Sequence, residues 1–122
     1  MGDLKNLIVY QKAFQLASDI QQVSQAFPPD EKFSLTSQIR RSSRSVCANL
    51  AEAYRRRKYR HHFLSKLADC ESENTETAVW LDFAFAFAFK YFNNAVFKDL
   101  SDRNAEVGKM IWFMIQNPDR FC

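Results

Sequence analysis

Apolar residues recur along this chain at alternating steps of three and four, which is the spacing of one face of an α-helix. Four such stretches follow one another and are separated by short breaks. Each stretch predicts a helix that packs one face against its neighbours. The predicted inward faces are Val9, Ala13, Leu16, Ile20, Val23 and Phe27; Leu35, Ile39, Ser42, Val46, Asn49 and Ala53; Leu64, Leu67, Glu71, Asn74, Ala78, Leu81, Phe85 and Ala88; and Leu100, Asn104, Val107, Ile111 and Met114.

The breaks predict where the helices begin and end. The first helix stops at Phe27-Pro28-Pro29-Asp30, because proline lacks a backbone donor and disfavours the helical conformation of the residue before it. We expect the second helix to start near Ser34 and the third to run from Tyr59 to Phe89. Asn93-Asn94 is typical of a turn and cap before the fourth helix, which ends at Asn117-Pro118. Short connections favour an all-α, up-down-up-down antiparallel four-helix bundle in a single domain over residues 1–122.

The third stretch is the most ambiguous of the four. Its predicted inward face contains Glu71 and Asn74, and a buried charge without a partner is costly. Either the helix is rotated at this point or a polar network crosses the bundle. Residues 83–89 alternate Phe and Ala with period two, which by itself is typical of a strand. Both residue types are apolar, Ala favours helix and no second strand candidate exists, so we predict helix.

The composition argues against an all-β fold and shows more aromatic residues than one core needs. Only 2 Gly and 3 Pro occur, too few for a β-sandwich with a turn every ~8–12 residues. Hydrophobic residues make up 47% of the chain, which is typical of a folded protein rather than a disordered one. The 12 Phe exceed the needs of one four-helix core. We expect residues 83–89 and 110–115 to contact another subunit, in preference to a haem or other ligand in an apolar cleft.

The cysteines and the N-terminus indicate the cellular compartment. Three cysteines cannot all pair within one chain, and their spacing matches no zinc or redox motif. No signal peptide is evident at the N-terminus. The most apolar stretch, residues 78–92, contains Asp82 and Lys90 and is shorter than the ~20 residues that span a bilayer. We therefore expect a cytoplasmic protein that does not enter the membrane.

Charge is distributed unevenly along the chain. The net charge is +3, yet the segment from Arg40 to Lys66 holds nine basic residues and one acid, Glu52. The remainder of the chain holds 8 basic and 13 acidic residues. Segregated charge of this kind favours a polyanionic partner.

The sharpest functional signal is a run of cations with interleaved rings at the junction of the second and third helices. Cations contact phosphates and rings stack on unpaired bases, so this run predicts nucleic-acid binding. The alternative is a solvated helix end whose cations favour the negative end of the helix dipole. A smaller basic surface on the second helix would form salt bridges with a partner helix or subunit, or contact phosphate. The candidate nucleic-acid-binding residues are Arg40, Arg41, Arg44, Tyr54, Arg55, Arg56, Arg57, Lys58, Tyr59 and Arg60.

The remaining polar, histidine and cysteine residues are expected to have structural roles. Asn49, Glu52 and Glu76 are expected to form a buried polar network that fixes helix register, with a ligand site or an enzyme centre as the alternative. His61 and His62 are adjacent and point about 100° apart on a helix, so they chelate one metal ion poorly. Cys47 and Cys70 are expected to be small buried residues. We therefore predict no catalytic residue, no metal site and no cofactor.

Several segments together resemble a known family. Residues 35–41 (Leu-Thr-Ser-Gln-Ile-Arg-Arg), Val46 and residues 49–52 (Asn-Leu-Ala-Glu) are similar to the core motif of a bacterial four-helix-bundle family. Its first known members are encoded in intervening sequences of the large-subunit ribosomal RNA gene, and some carry a ribosomal-protein-like label. Ala53 stands where the family usually has Gly. Flanking matches are Phe27-Pro28, Glu76-Thr77, Trp80-Leu81, residues 106–110 and residues 117–121.

The resemblance implies an assembly and a partner. It implies a bundle that forms a ring, commonly a homopentamer, and a nucleic-acid-binding role by analogy with bundle proteins that accompany retroelement reverse transcriptases. The family has no established enzymatic reaction. The resulting hypothesis is a non-enzymatic homo-oligomer that binds RNA or DNA electrostatically. The alternative is a scaffold that binds an acidic partner protein.

Overall fold

The computed structural model describes residues 3–87 and 93–121, and within these ranges the fold consists of helices without strands. Single helical turns occur at Leu4–Asn6, Pro29–Glu31 and Pro118–Arg120, and a wider π-helical turn at Lys32–Thr36. The prediction of an all-α fold with four helices is confirmed. The helices are α1 (Ile8–Ser24), α2 (Ser37–Arg55), α3 (Arg60–Phe87) and α4 (Asn94–Gln116).

The four helices surround one hydrophobic core. Each helix packs against the next one along the chain, and α1 also packs against α4. The inward faces of α1 and α4 are those that the apolar spacing predicts, since all of their predicted residues are buried except Val23, which is partly buried against the core. Burial of apolar surface at this spacing is what stabilises helices of this length, because isolated helices are marginal in water.

The connection between α1 and α2 differs from the sequence prediction. Helix α2 begins at Ser37 rather than near Ser34, because residues 32–36 form the π-helical turn. The Glu31 carboxylate holds this turn by accepting hydrogen bonds from the Leu35 backbone N–H at 3.3 Å and the Ser34 hydroxyl at 2.8 Å. A side-chain cap of this kind is invisible to apolar spacing.

Helix α3 is rotated relative to its predicted inward face. Leu67, Asn74 and Leu81 are buried as predicted, whereas Glu71 and Ala78 are exposed. The prediction for Glu71 and Ala78 was wrong, because the buried stripe passes through the residues one position earlier. On α2, Asn49 is likewise only half-buried. The buried residues in place of the mispredicted ones are Phe63, Cys70, Thr77 and Ala84 on α3 and Leu50 on α2.

A polar network also crosses the bundle, so both alternatives for α3 hold. The Asn74 amide donates to the Asn104 backbone carbonyl at 3.0 Å and to Asn104 Oδ1 at 3.1 Å, and Asn104 Nδ2 donates to the Asn74 carbonyl at 3.1 Å. Thr77 Oγ1 donates to Ser42 Oγ at 2.8 Å. Among the described residues no buried side-chain nitrogen or oxygen lacks a partner. These bonds fix the rotation of α3 against α4 and α2, since breaking them would strand buried polar groups.

The Phe/Ala repeat is helical as far as it is described. Helix α3 continues through Phe87, which confirms helix over strand for this part of the repeat. Its predicted end at Phe89, and Ala88 of the predicted inward face, lie outside the described residues. Asn93 caps α4 as predicted, because its side chain accepts the Val96 N–H at 2.9 Å. Within the described ranges, no helix is both long and apolar enough to cross a membrane.

Gly108 lies on α4 beside the Asn74 side chain of α3, and a Cβ at this position would lie 2.5 Å from Asn74 Oδ1. Asn74 cannot swing away without breaking its buried hydrogen bonds. Overpacking costs about 1–3 kcal/mol, whereas Ala is preferred over Gly in a helix by about 1 kcal/mol. We therefore expect Gly108→Ala to lower the free energy of unfolding in urea by about 1 kcal/mol, the net of these two effects.

The control is the same substitution in an Asn74→Ala background. The clash is absent there, so Gly108→Ala should raise the free energy of unfolding through helix preference alone. A rise in both backgrounds would contradict the close packing of Gly108 against Asn74.

Candidate nucleic-acid interface

An open groove of about 610 Å³ lies at the junction of α2 and α3. Arg55 and Arg56 come from the end of α2, and the opposite wall comes from the first two turns of α3. We call it the basic groove. Its lining residues are Glu52, Arg55, Arg56, His61, His62, Ser65 and Lys66.

The local sequence explains why α2 ends at this groove. The Arg56 backbone N–H donates to the carbonyls of Ala53 at 3.0 Å and Glu52 at 3.2 Å, and the Tyr59 N–H donates to the Arg56 carbonyl at 2.8 Å. This turn lets α3 restart at Arg60, with Phe63 fully buried beneath it. Cations at the end of α2 also interact favourably with its dipole, so the helix-end interpretation of the run holds structurally and does not conflict with a binding role.

Arg55 and Arg56 are the uncompensated cations of the groove. Both are exposed, and neither forms a side-chain hydrogen bond or ion pair with any described residue. Lys66, by contrast, lies 2.8 Å from Glu52 and 3.6 Å from Asp69. The hydrogen bond that Lys66 donates to Glu52 is the main reason that the pKa of Lys66 is raised. The two arginines therefore supply the positive charge that is available to a ligand.

Two other cations of the predicted run are engaged within the chain. The Arg57 guanidinium carbon lies 3.5 Å from the centre of the Tyr54 ring, and Arg57 Nε donates to the Tyr54 carbonyl at 2.7 Å. Arg60 forms an ion pair with Asp119 in the turn after α4. One face of the Tyr54 ring is thus covered by Arg57, and Tyr54 is not a free stacking surface on that face.

The rim of the groove carries an exposed aromatic ring. Tyr59 is 53% exposed, and its ring centre lies 6.1 Å from that of His62, which lines the groove. Lys58 Nζ lies 5.9 Å from the Tyr59 ring centre, at the outer limit of a cation–π contact. This corner combines a ring surface with nearby cations.

The smaller basic surface of α2 lies apart from the groove. Arg40 Nε donates to Ser24 Oγ on α1 at 2.7 Å, and Arg44 donates to the Gln21 side chain, also on α1. Arg41 instead forms ion pairs with two carboxylates of α3, with a distance of 2.8 Å to the Glu73 oxygen. Arg41 thus forms the predicted salt bridges with a partner helix, whereas Arg40 and Arg44 donate hydrogen bonds to uncharged side chains of α1. The two acids of α3 that pair with Arg41 are Glu73 and Glu76.

The Arg41 cluster alters the ionisation of its members. Partial burial of Glu73 favours its neutral form, but hydrogen bonds from Arg41 and Ser45 and a hydrogen bond with Glu76 outweigh this, so the pKa of Glu73 is lowered. The pKa of Arg41 is raised by its hydrogen bonds to the same two glutamates. The cluster is thus a charged link between α2 and α3.

The predicted buried network of Asn49, Glu52 and Glu76 was wrong. Asn49 Nδ2 donates locally, to the Ser45 carbonyl at 2.9 Å. Glu52 is exposed in the basic groove, and Glu76 contacts Arg41 and accepts the Trp80 indole N–H at 3.1 Å. These three residues belong to separate contacts, and the buried polar network is formed by the asparagine pair instead.

Cys47 and Cys70 pack against the core as protonated thiols. Burial raises the pKa of the Cys47 thiol to about 11 and that of the Cys70 thiol to about 12. Both thiols therefore stay protonated at neutral pH. Cys70 is buried as predicted, and Cys47 is half-buried. Within residues 3–87 and 93–121, no group of three or more His, Cys, Asp or Glu side chains has the arrangement of a metal site.

The binding residues predicted from the sequence include none of the residues that form the α3 wall of the groove. His61, His62, Ser65 and Lys66 line the groove together. Residues three or four positions apart are neighbours on a helix surface, so the positions of Ser65 and Lys66 one turn after His61 and His62 are the signal that places them on one wall. Their proximity to Arg55 depends on the packing of α2 against α3, which local sequence does not contain.

These features describe a four-helix protein with an uncompensated basic groove at one helix junction. The chain belongs to the 23S rRNA-intervening sequence protein family, whose model matches residues 5–112, which confirms the resemblance. At Ala53, where the family usually has Gly, α2 continues unbroken to Arg55.

One solved structure supports the same grouping. It is a crystal structure of a protein with unknown function from the S23 ribosomal protein family of Bacteroides thetaiotaomicron, 25% identical over 89% of this chain and 96% of that chain, with a TM-score of 0.78. No curated protein matches the chain.

We expect Arg41→Gln to destabilise the fold at neutral pH by at most about 1 kcal/mol, because the arginine is partly exposed and its ion pairs are screened by solvent. The folded-state pKa of Glu73 is lowered. Its contribution is therefore present above the unfolded glutamate pKa of about 4.3 and is lost as the pH falls through the folded-state pKa. Urea unfolding at decreasing pH should show the two proteins converging in acid.

The control is Lys98→Gln, which breaks a fully exposed pair with Asp102 at 2.8 Å. This variant should differ less from the wild type at neutral pH. A deficit of Arg41→Gln that persists unchanged in acid would contradict the assigned role of the carboxylates.

Proposed function

We propose that this protein is a non-enzymatic, cytoplasmic homo-oligomer that binds RNA or DNA electrostatically through the basic groove. The observation that carries the proposal is the pair Arg55 and Arg56, two exposed cations in one groove without a carboxylate partner among the described residues. Most other arginines of the basic segment contact partners within the chain. Cations left free in a concave site attract phosphate, and releasing counterions from the nucleic acid provides the binding free energy.

We further propose that the bundle is up-down-up-down and that it assembles into a ring, a pentamer by analogy with the family. Packing of each helix on its neighbour in sequence, and of α1 on α4, supports this topology. Exposed rings on α4 support subunit contact, since Trp112 is 55% and Phe113 is 43% exposed. Apolar surface of this kind is common at interfaces between subunits.

The charge-reversed double variant Arg55→Glu/Arg56→Glu should lose binding to RNA and DNA. Fluorescence anisotropy with a labelled oligonucleotide, at about 50 mM and about 200 mM salt, measures the affinity and its salt dependence. Two phosphate contacts correspond to a slope of log K against log salt of about 1.8 for duplex or about 1.4 for single strands, and this part of the slope should disappear.

The matched control is Lys32→Glu/Lys109→Glu, which changes the net charge by the same amount at two exposed positions outside the groove. It should retain most of the binding. Unchanged binding in the Arg55→Glu/Arg56→Glu variant, or equal loss in both variants, would contradict the assignment. A protein indifferent to nucleic acid at both salt concentrations would favour the scaffold for an acidic partner protein.

Light scattering of the purified protein should give a mass of about five times the 14.3 kDa of one chain. The Arg55→Glu/Arg56→Glu variant should have the same mass, because the basic groove is proposed to bind the ligand and not a neighbouring subunit. A monomer in either salt concentration would contradict the ring, and a mass change confined to the variant would indicate that the groove forms part of the subunit interface.

A further inference from the structure

We infer that the basic groove selects single-stranded nucleic acid, with an unpaired base stacked on the Tyr59 ring and its flanking phosphates at Arg55 and Arg56. This inference rests on the proposed function and specifies its ligand. It depends on the relation between the exposed ring and the groove. Tyr59 belongs to the turn between α2 and α3, and the nearest groove residues in sequence are Arg56, three positions before it, and His61, two positions after it.

The two tyrosines of the junction differ in how much ring surface they offer. The Arg57 guanidinium lies 3.5 Å from the Tyr54 ring centre, which is direct stacking contact, and a hydrogen bond to the backbone holds it there. The Lys58 ammonium lies 5.9 Å from the Tyr59 ring centre and has no carboxylate or carbonyl partner among the described residues. A base can displace Lys58 at little cost, whereas displacing Arg57 breaks two interactions.

Tyr59 is also placed for a base whose phosphates lie in the groove. Its ring is 53% exposed, and its other neighbour is His62, at 6.1 Å between ring centres and with 49° between ring planes. His62 itself lines the groove beside Arg55 and Arg56. His62 therefore connects the Tyr59 ring to the groove that contains the two free cations. An aromatic ring next to a basic groove is the combination by which proteins hold single strands without sequence preference.

A duplex cannot use this corner in the same way. Its bases are stacked and paired, so their faces are hidden within the duplex and none can stack on the Tyr59 ring. Stacking on an aromatic side chain strengthens single-strand binding by at least about fivefold per base. The groove should accordingly bind a single strand more tightly than the same strand annealed to its complement, for both RNA and DNA.

The test compares labelled single-stranded RNA and DNA of about 15 nucleotides with the corresponding duplexes, by anisotropy at about 50 mM salt. Tyr59→Ala should weaken single-strand binding by at least about fivefold and leave duplex binding nearly unchanged. Tyr59→Phe, which keeps the ring, should bind like the wild type. Phe33→Ala is the matched control, because it removes a ring that is 87% exposed and does not line the basic groove.

The outcomes separate this inference from the proposed function. Equal affinity for single strands and duplexes, with no effect of Tyr59→Ala, would overturn the inference. The proposed function would still stand in that case if Arg55→Glu/Arg56→Glu lost binding. An equal loss in Tyr59→Ala and Phe33→Ala would also overturn it, since the effect would not be specific to the groove. No binding of any nucleic acid by the wild type would overturn both.

Discussion

The buried asparagine pair between α3 and α4 fixes the rotation of α3, and this rotation determines which side chains of α3 line the basic groove. Asn74 and Asn104 exchange hydrogen bonds with each other's side chains and backbones, and Gly108 allows the two helices to approach at this point. Rotating α3 by one residue, about 100°, would strand these groups in the core. The same rotation would move the wall of the basic groove away from Arg55, because that wall is on the same rigid helix. The site thus depends on a contact about two to four turns away along α3.

Some arginines of the basic segment form ion pairs that link the helices, and others remain available to a ligand. Arg41 links α2 to α3 through two carboxylates, and Arg60 pairs with an acid in the turn after α4. Ion pairs that are partly exposed add little stability each, but they leave those arginines with less charge to offer a ligand. Arg55 and Arg56 lie where the helix dipole favours cations by about 0.3–1 kcal/mol. The dipole therefore stabilises these cations in the absence of carboxylates, which leaves their charge available to a phosphate.

Apolar spacing predicted α1 and α4 well because the buried residues of each helix recur regularly at steps of three and four. It failed for the rotation of α3, where Leu64 and Ala78 offered an apolar stripe beside the true one through Phe63, Cys70 and Thr77. Asn74 lies on both stripes and does not distinguish them, whereas Thr77, whose hydroxyl bonds to buried Ser42, lies only on the true one. The basic run could be recognised directly in the sequence. The stacking of Arg57 on Tyr54 and the positions of His62 and Lys66 in the groove could not be predicted from it. Both depend on a turn and on packing between helices, which are long-range properties.

Symmetry would decide how a groove with two free arginines becomes an effective site. In the proposed ring every subunit is related by rotation about one axis, so all copies of the groove lie on the same rim. Two phosphate contacts per copy give weak binding alone. A strand that reaches the next copy meets it at an effective concentration in the millimolar range, and overall affinity can then rise by 10² or more, roughly, without new contacts. A flexible single strand can follow such a rim closely, whereas a stiff duplex has a persistence length of about 150 bp and resists bending at this scale. Assembly and the exposed Tyr59 ring therefore favour the same ligand for independent physical reasons.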